Sequence, residues 1–215
     1  MKLYEYWRSS AAYRVRIALN LKGLPYDHVS VSLVADGGEN LKPAYRALNP
    51  QGKVPALELD DGTVLSQSLA IIEYLDETQP EPALLPRDAL IRANARAFAL
   101  AVACEIHPLN NLAVLKHLET TFDLDGKGKV AWMAHWMAEG FAALEEGLHR
   151  REWKGPFLFG DTPGIAEIFL VPQFYNARRW GVDLSPYPLL VKADDAARGQ
   201  KAFQDAEPDA QPDAE

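Results

Sequence analysis

The chain has 215 residues, 48% of them hydrophobic and 24% charged, which is ordinary globular composition with material for one large domain or two small ones. Its formal net charge is −8 and no basic stripe is visible, a balance that disfavours nucleic acid as a partner. Cys104 is the only cysteine, so an intramolecular disulfide and a cysteine-rich zinc site are excluded. The five histidines, His28, His107, His117, His135 and His149, show no metal-like pairing, and no bound metal is expected. No apolar run approaches the roughly 18 residues needed to span a bilayer. Residues 1–5 read as a strand and not as a signal peptide, so no membrane partner is expected and a cytoplasmic location is the default.

Residues 2–6 are short and aromatic and fit a strand. Residues 10–22 carry Tyr13, Ile17 and Leu21 as a helical stripe, stopped by Gly23. His28, Val29, Val31 and Leu33 alternate as a strand over 27–33. Residues 36–48, with Gly37-Gly38, predict a loop and a short irregular helix. Residues 54–59 and 63–65 form two strands around Asp61-Gly62, a strong hairpin signal. Residues 68–77 are a helix with Leu69, Ile72 and Leu75 on its core face. The order β-α-β-α-β-β-α predicts parallel pairing at the start and an antiparallel hairpin at the end, in a small mixed four-stranded sheet with helices packed on it.

Three prolines in residues 80–86 mark a linker, which places a first domain over 1–80, the linker over 81–86 and a second domain over 87–215. Strand signals stop there. Residues 87–118 form one long alanine-rich helical pattern that Pro108 should kink or break. Residues 123–128 predict a loop, 130–150 and 164–180 two further helices, and 189–206 one or two shorter ones. Residues 205–215 hold Asp205, Glu207, Asp209, Asp213 and Glu215 with no Lys or Arg, and are expected to be frayed and solvated. Cys104, in an apolar helix, is expected to be inert core.

Two segments carry the chemistry. Trp7-Arg8-Ser9-Ser10-Ala11-Ala12-Tyr13-Arg14-Val15-Arg16 places two hydroxyls and an arginine just after a strand. Gln67-Ser68-Leu69-Ala70-Ile71-Ile72-Glu73 places a serine at the mouth of an apolar helix. Neither set of hydroxyls has an acid or base beside it in sequence. That argues against a serine nucleophile and for a site that stabilises another molecule's charge. Hydroxyl donors and a helix N-terminus can hold a thiolate without a proton relay. Either serine of the first segment also fits an ordinary helix N-cap, as does Ser68 in the second.

These segments, with Ala47-Leu48-Asn49-Pro50, Val54-Pro55, Ile106-His107-Pro108-Leu109-Asn110-Asn111, Gly160-Asp161-Thr162-Pro163, Leu170-Val171-Pro172-Gln173 and residues 182–188, resemble the zeta class of the cytosolic glutathione transferases over nearly the whole chain. The resemblance implies a thioredoxin-like α+β N-terminal domain, an all-helical C-terminal domain and a homodimer. It also implies glutathione as the cofactor, Ser9 facing its sulfur with Ser10 beside it, and Gln67 and Ser68 at its γ-glutamyl end. The Val54 backbone, before a cis Pro55, would meet its cysteinyl amide, and Asn40 would lie near its glycyl end. Arg8, Arg178 and Arg179, with Arg179 favoured over Arg178, are implied to meet a dicarboxylate substrate, and His107, Asn110 and Asn111 to line the same cleft. For each arginine a solvated helix face is the plain alternative, and for His107 a buried hydrogen-bonded role.

The implied reaction is the glutathione-dependent cis–trans isomerisation of maleylacetoacetate in aromatic amino-acid breakdown. Maleylpyruvate as the substrate, a general transferase or peroxidase, and a non-catalytic glutathione-binding protein are the alternatives. Relatives acting on maleylpyruvate tend to carry arginine after the Asn-Asn pair, where this chain has Leu112-Ala113. Ala11 stands where the family usually has cysteine, so an altered rate or affinity is expected. Gly164 replaces the usual hydroxyl of a helix-capping box whose acidic partner, Glu167, is retained.

Overall fold

The computed structural model describes all residues from 1 to 215 and divides into two compact units, Met1–Leu84 with Gly199–Glu215, and Leu85–Arg198. The division falls inside the proline-marked stretch.

The first unit is built on a four-stranded sheet of order β2-β1-β3-β4, from β1 (Lys2–Glu5), β2 (Asp27–Ser30), β3 (Ala56–Glu58) and β4 (Val64–Ser66). β1 runs parallel to β2 and antiparallel to β3, which pairs with β4 as a hairpin. The strands are shorter than their sequence patterns: Leu33 and Val54 continue the apolar runs into packing, while Val31 and Leu59 each add one backbone bond, to the carbonyls of Glu5 and Thr63. Side chains alternate between faces. Leu3 and Leu57 join Val15 and Leu19 of α1 (Ser10–Leu21) and Ile71 and Leu75 of α3 (Ser68–Thr78) in one core. Ala56 joins Tyr6, Trp7, Val31, Val54 and Tyr45, the last from α2 (Pro43–Leu48), in the other. Two single 3₁₀ turns, Ala35–Gly37 and Glu39–Leu41, precede α2.

The proline-rich stretch is anchored. Lys22 Nζ donates to Asp76 at 2.8 Å and to the carbonyls of Gln79 and Pro82, and the Leu84 amide donates to Asp76 Oδ1 at 2.8 Å.

Residues 199–215 correct the sequence reading. They pack as part of the first unit and are not a solvated tail. Phe203 and Ala206 are buried, Gln211 donates to the carbonyls of Asp205 and Glu207, and Asp213 accepts from Ser30 Oγ at 2.7 Å. Acidic composition alone predicted solvation; Phe203 and Ala206 supply the apolar anchor, and the acids at 205 and 213 have cationic or hydroxyl partners within the fold.

The second unit is helical: α4 (Ala89–Leu100), α5 (Leu112–Phe122), α6 (Gly126–Arg150), α7 (Ile165–Arg179) and α8 (Pro188–Arg198), while α9 (Lys201–Gln204) belongs to the first unit. Pro108 does interrupt the long pattern. A π-helical turn, Ala101–Ile106, and a 3₁₀ turn, His107–Asn110, separate α4 from α5. A π turn absorbs an extra residue within a helix. The segment expected as a loop at 123–128 is half helix, because Asp125 caps α6 by accepting from the Gly128 amide at 2.7 Å. Cys104 is exposed and not core, and it lies within the π turn. The run Ala89–Phe122 also holds a window of mean hydropathy 1.4, so on length and apolarity alone it could cross a membrane, contrary to the sequence reading. One such run is weak evidence, and this one is interrupted by a π-helical turn and a 3₁₀ turn.

α7 is apolar nearly all round and buried from Ile165 to Phe174, as the central helix of its unit. Its N-terminus is held by Glu167, which accepts from the amides of Gly164 at 2.8 Å and Leu158 at 2.6 Å. Burial pushes the Glu167 carboxyl up, against the pull of those two bonds. Gly164 contributes extended backbone and no side-chain cap.

Gly140 lets α6 approach the π turn. A Cβ there would lie 2.3 Å from both Cγ1 and Cδ1 of the fully buried Ile106. Gly140→Ala is therefore expected to cost about 1–3 kcal/mol through overpacking, seen as a lowered urea midpoint. An unchanged midpoint would show that Ile106 can turn aside.

Candidate functional site

In the first unit the chain leaves β1 through Tyr6 and Trp7, turns as the Ser9 amide donates to the Tyr6 carbonyl at 2.9 Å, and enters α1. Ser9 is the N-cap. Its Oγ accepts from the Ala12 amide at 3.2 Å and its carbonyl accepts from the Tyr13 amide at 2.8 Å. A hydroxyl has one proton and two lone pairs, so the capping bond uses a lone pair and leaves the O–H to donate. Capping and charge stabilisation are thus compatible at Ser9. Ser10 is the first helical residue. Arg8 lies with its guanidinium carbon 4.6 Å from the centre of the Trp7 ring and donates to Tyr6 Oη at 3.1 Å, so the cation is held on an aromatic shelf beside the turn.

Val54 precedes a cis peptide bond to Pro55. It lies outside β3, and no turn or loop hydrogen bond uses its amide or carbonyl. The preceding carbonyl, Lys53, is fixed by two donors, Tyr45 Oη at 2.8 Å and Asn49 Nδ2 at 2.7 Å. Burial pushes the Tyr45 hydroxyl up to about 12, so it remains a donor across the physiological range. Val54 and Trp7 pack in the same core, which brings the free peptide edge to the same end of the unit as the Ser9 turn. Asn40 ties this loop, donating to the Gly52 carbonyl at 2.7 Å. Gly52 has φ of 60°, and a Cβ there would meet the Asn40 carbonyl at 3.1 Å.

Gln67 takes the N-cap position of α3 with φ of 69°, a backbone state uncommon outside glycine, and donates from Nε2 to Gln51 at 2.7 Å. No side chain caps this helix, so its first amides point outward as an anion-receptive end. Ser68 is the first helical residue and not the cap. Its hydroxyl is buried and accepts from Arg14 Nη1 at 3.4 Å. Arg14 is 2% exposed, so a buried cation stands behind the open helix end.

In the second unit, Asn111 caps α5 by accepting from the Ala113 amide at 2.9 Å, and Asn110 donates to the Ile106 carbonyl at 2.8 Å while its buried Oδ1 has no partner. His107 is half-buried at the start of the 3₁₀ turn. Trp132 of α6 donates to the Leu109 carbonyl at 2.8 Å and so holds that turn. Arg178 is ion-paired to the fully buried Asp194. Burial raises the Asp194 carboxyl in spite of that cation. Arg179 is exposed and lies 5.0 Å from the Trp180 ring centre.

Sequence reasoning missed three supporting residues: Arg14, Tyr45 and Asn49. Arg14 had a usable signal, since an arginine between Tyr13 and Val15, within the buried stretch of α1, requires a buried partner. Asn49 stood in a quoted motif without a role.

Residues 3–83 match the family model for the glutathione S-transferase N-terminal domain and residues 131–198 that for the glutathione S-transferase C-terminal domain. The maleylacetoacetate isomerase of Pseudomonas aeruginosa is 50% identical over 213 residues, covering 99% of this chain and 98% of that protein. A solved maleylpyruvate isomerase, described as a bacterial glutathione S-transferase in the zeta class, superposes with a TM-score of 0.96 at 49% identity and 100% coverage of both chains. A maleylacetoacetate isomerase from Methylobacterium extorquens AM1, solved with malonate and glutathione bound, superposes at 0.95 with 38% identity and 100% coverage of both. This chain belongs to the glutathione S-transferase family. Within that family it falls in the zeta class.

Proposed function

We propose that the protein is a glutathione-dependent cis–trans isomerase acting on maleylacetoacetate. The observation that carries the reading is the combination, within one unit, of a Ser9 hydroxyl at a helix N-terminus whose O–H the capping bond leaves available, an unused peptide edge at Val54 and an open helix end backed by Arg14. Those features fit a short peptide with a terminal carboxylate and a thiol. Gln67, Ser68 and the amides of α3 would hold the γ-glutamyl carboxylate, Val54 the cysteinyl peptide, and Ser9, with Ser10 beside it, the sulfur. Asn40 already spends one N–H on Gly52 and would contribute less. When bound, glutathione supplies the thiolate that adds to the cis double bond and departs after rotation.

The chain's own residues lower the cost of that thiolate. A free thiol has a pKa of about 8.5; a hydroxyl donor and the positive end of α1 favour the anion. Arg8 is the proposed partner for a substrate carboxylate, because its stacked guanidinium keeps donors unspent by Tyr6. Of the two arginines on α7, Arg179 is the one the family resemblance favours, and Arg178 is ion-paired to Asp194. His107 and Asn110 are proposed to line the substrate side; Asn111 has its side-chain oxygen engaged as a cap.

A homodimer is the proposed assembly; Leu90, Ile91 and Leu100 of α4 are large apolar side chains left exposed in the single chain. A cytoplasmic location is proposed; the exposed free thiol of Cys104 fits a reducing compartment.

Maleylpyruvate is the second reading, favoured by the near-equal identity to enzymes of both names. Steady-state assays on both substrates, with and without glutathione, separate them. At least tenfold higher kcat/KM on maleylacetoacetate, only with glutathione, is expected. A maleylpyruvate preference would keep the mechanism and change the substrate. Turnover of neither would bring transferase chemistry or simple binding forward.

A further inference from the structure

Arg16 has no part in the site above, yet it is a fully buried cation. Its guanidinium spends its donors on three groups. Nη1 pairs with Glu5 at the end of β1, Nη2 donates to the Trp7 carbonyl at 3.0 Å, and Nε donates to the Ala206 carbonyl at 2.9 Å. Trp7 lies within the turn that presents Arg8 and Ser9. One planar group therefore grips that turn from below and holds it to a segment 190 residues further along the chain.

A second tie closes the loop. Glu5 meets His28 Nδ1 at 2.9 Å, and His28 Nε2 faces Asp213 at 3.3 Å, an ion-pair contact outside hydrogen-bond geometry. Ser30 donates to the other Asp213 oxygen at 2.7 Å, and Asn20 of α1 donates to the Ala202 carbonyl at 3.0 Å.

We propose that residues 199–215 are a strap that completes the thiolate site, and that Arg16 is the positioning residue through which the strap sets the Trp7–Ser10 turn. The carbonyl of Ala206 is one of only three acceptors that orient the guanidinium. Without it the guanidinium swings toward Glu5, and its grip on the Trp7 carbonyl, hence the aim of the Ser9 hydroxyl, is relaxed. An arginine is required, because lysine offers no planar fork to reach three acceptors in three directions.

The inference rests on the reading of Ser9 as the thiolate partner. It is tested by ending the chain after Asp205 and titrating enzyme-bound glutathione by its thiolate ultraviolet absorbance, alongside KM for glutathione and circular dichroism. The expected result is a folded protein whose bound thiol titrates at least half a pH unit higher and whose KM for glutathione rises at least fivefold. In a Ser9→Ala background the same truncation should move the thiol titration little, since coupled residues do not add. A purely structural strap would lower the melting temperature and leave the titration in place, which overturns the proposal, as would full additivity with Ser9→Ala. If the truncated chain does not fold, Asp213→Asn and Arg16→Lys decide: an unmoved titration in both overturns it, and a raised one in either supports it. Failure of the intact protein to bind glutathione would sink the functional reading first; binding by the intact protein with a silent truncation sinks the strap alone.

Discussion

Replacing Ser9 by alanine is expected to lower kcat/KM about a hundredfold, the scale on which one preorganised donor to a developing anion acts. The substitution removes two things at once. It deletes the O–H that the capping bond leaves available to donate, and it deletes the lone pair that accepts from Ala12 at 3.2 Å. The second loss costs about 1 kcal/mol of stability, a drop of a few degrees in melting temperature. The first raises the pKa of bound thiol toward its free value, so the rising limb of the pH–rate profile moves to higher pH. Ser9→Thr keeps both the hydroxyl and the cap and should recover most of the activity. Ser10→Ala, on the first helical residue, is expected to cost much less. Activity in Ser9→Ala within threefold of the parent would move the thiolate partner elsewhere, with Ser10 the first place to look.

Replacing Glu167 by alanine is expected to destabilise the protein by about 3–5 kcal/mol, read from urea midpoints. Two amides, Leu158 and Gly164, lose the carboxylate that satisfies them; each buried orphan costs about 1–3 kcal/mol, and the site is too enclosed for water to stand in freely. The pH dependence has a definite sign. Burial raises the Glu167 pKa in the folded state above its unfolded value. Protonation therefore favours folding at this position: the contribution is full below the unfolded glutamate pKa and is lost as pH rises through the folded one. The protonated acid still offers lone pairs to both amides. The gap in stability between the parent and Glu167→Ala should accordingly narrow as pH rises from about 4. A gap that widened instead would show that the two amide bonds outweigh desolvation.

The element order of the first unit was legible because it is written in local chemistry: period-two apolar runs, an Asp-Gly turn, glycine stops. Strand ends were not, since Val31 and Val54 satisfy an apolar pattern equally well in a ladder or packed beside one. Ser9 was readable as a cap from its place before a helical stripe, and the structure adds that a cap can still donate. Gln67 was found by resemblance, but its positive φ is a tertiary outcome with no residue signal. The serine at 68 was misread as a possible cap because its role depends on Arg14, which comes from another helix. Cys104 and residues 199–215 failed for related reasons. The exposed thiol sits in a π turn that no propensity announces, and docking of an acidic segment depends on a cation and a histidine far away in sequence.

That distance has a consequence for how the molecule comes into being. Residues 1–84 share their unit with residues 199–215, so residues 1–84 on their own lack part of that unit's packing. During synthesis the sheet and its helices leave the ribosome first, with the charges of Arg16 and Glu5 facing each other and one guanidinium donor still unanswered. The whole helical unit must follow before Ala206 arrives to answer it. Contacts so far apart are slow to close and leave apolar surface waiting. Excising this domain at the proline stretch, the natural place to cut, would yield a fragment that has lost its own last layer.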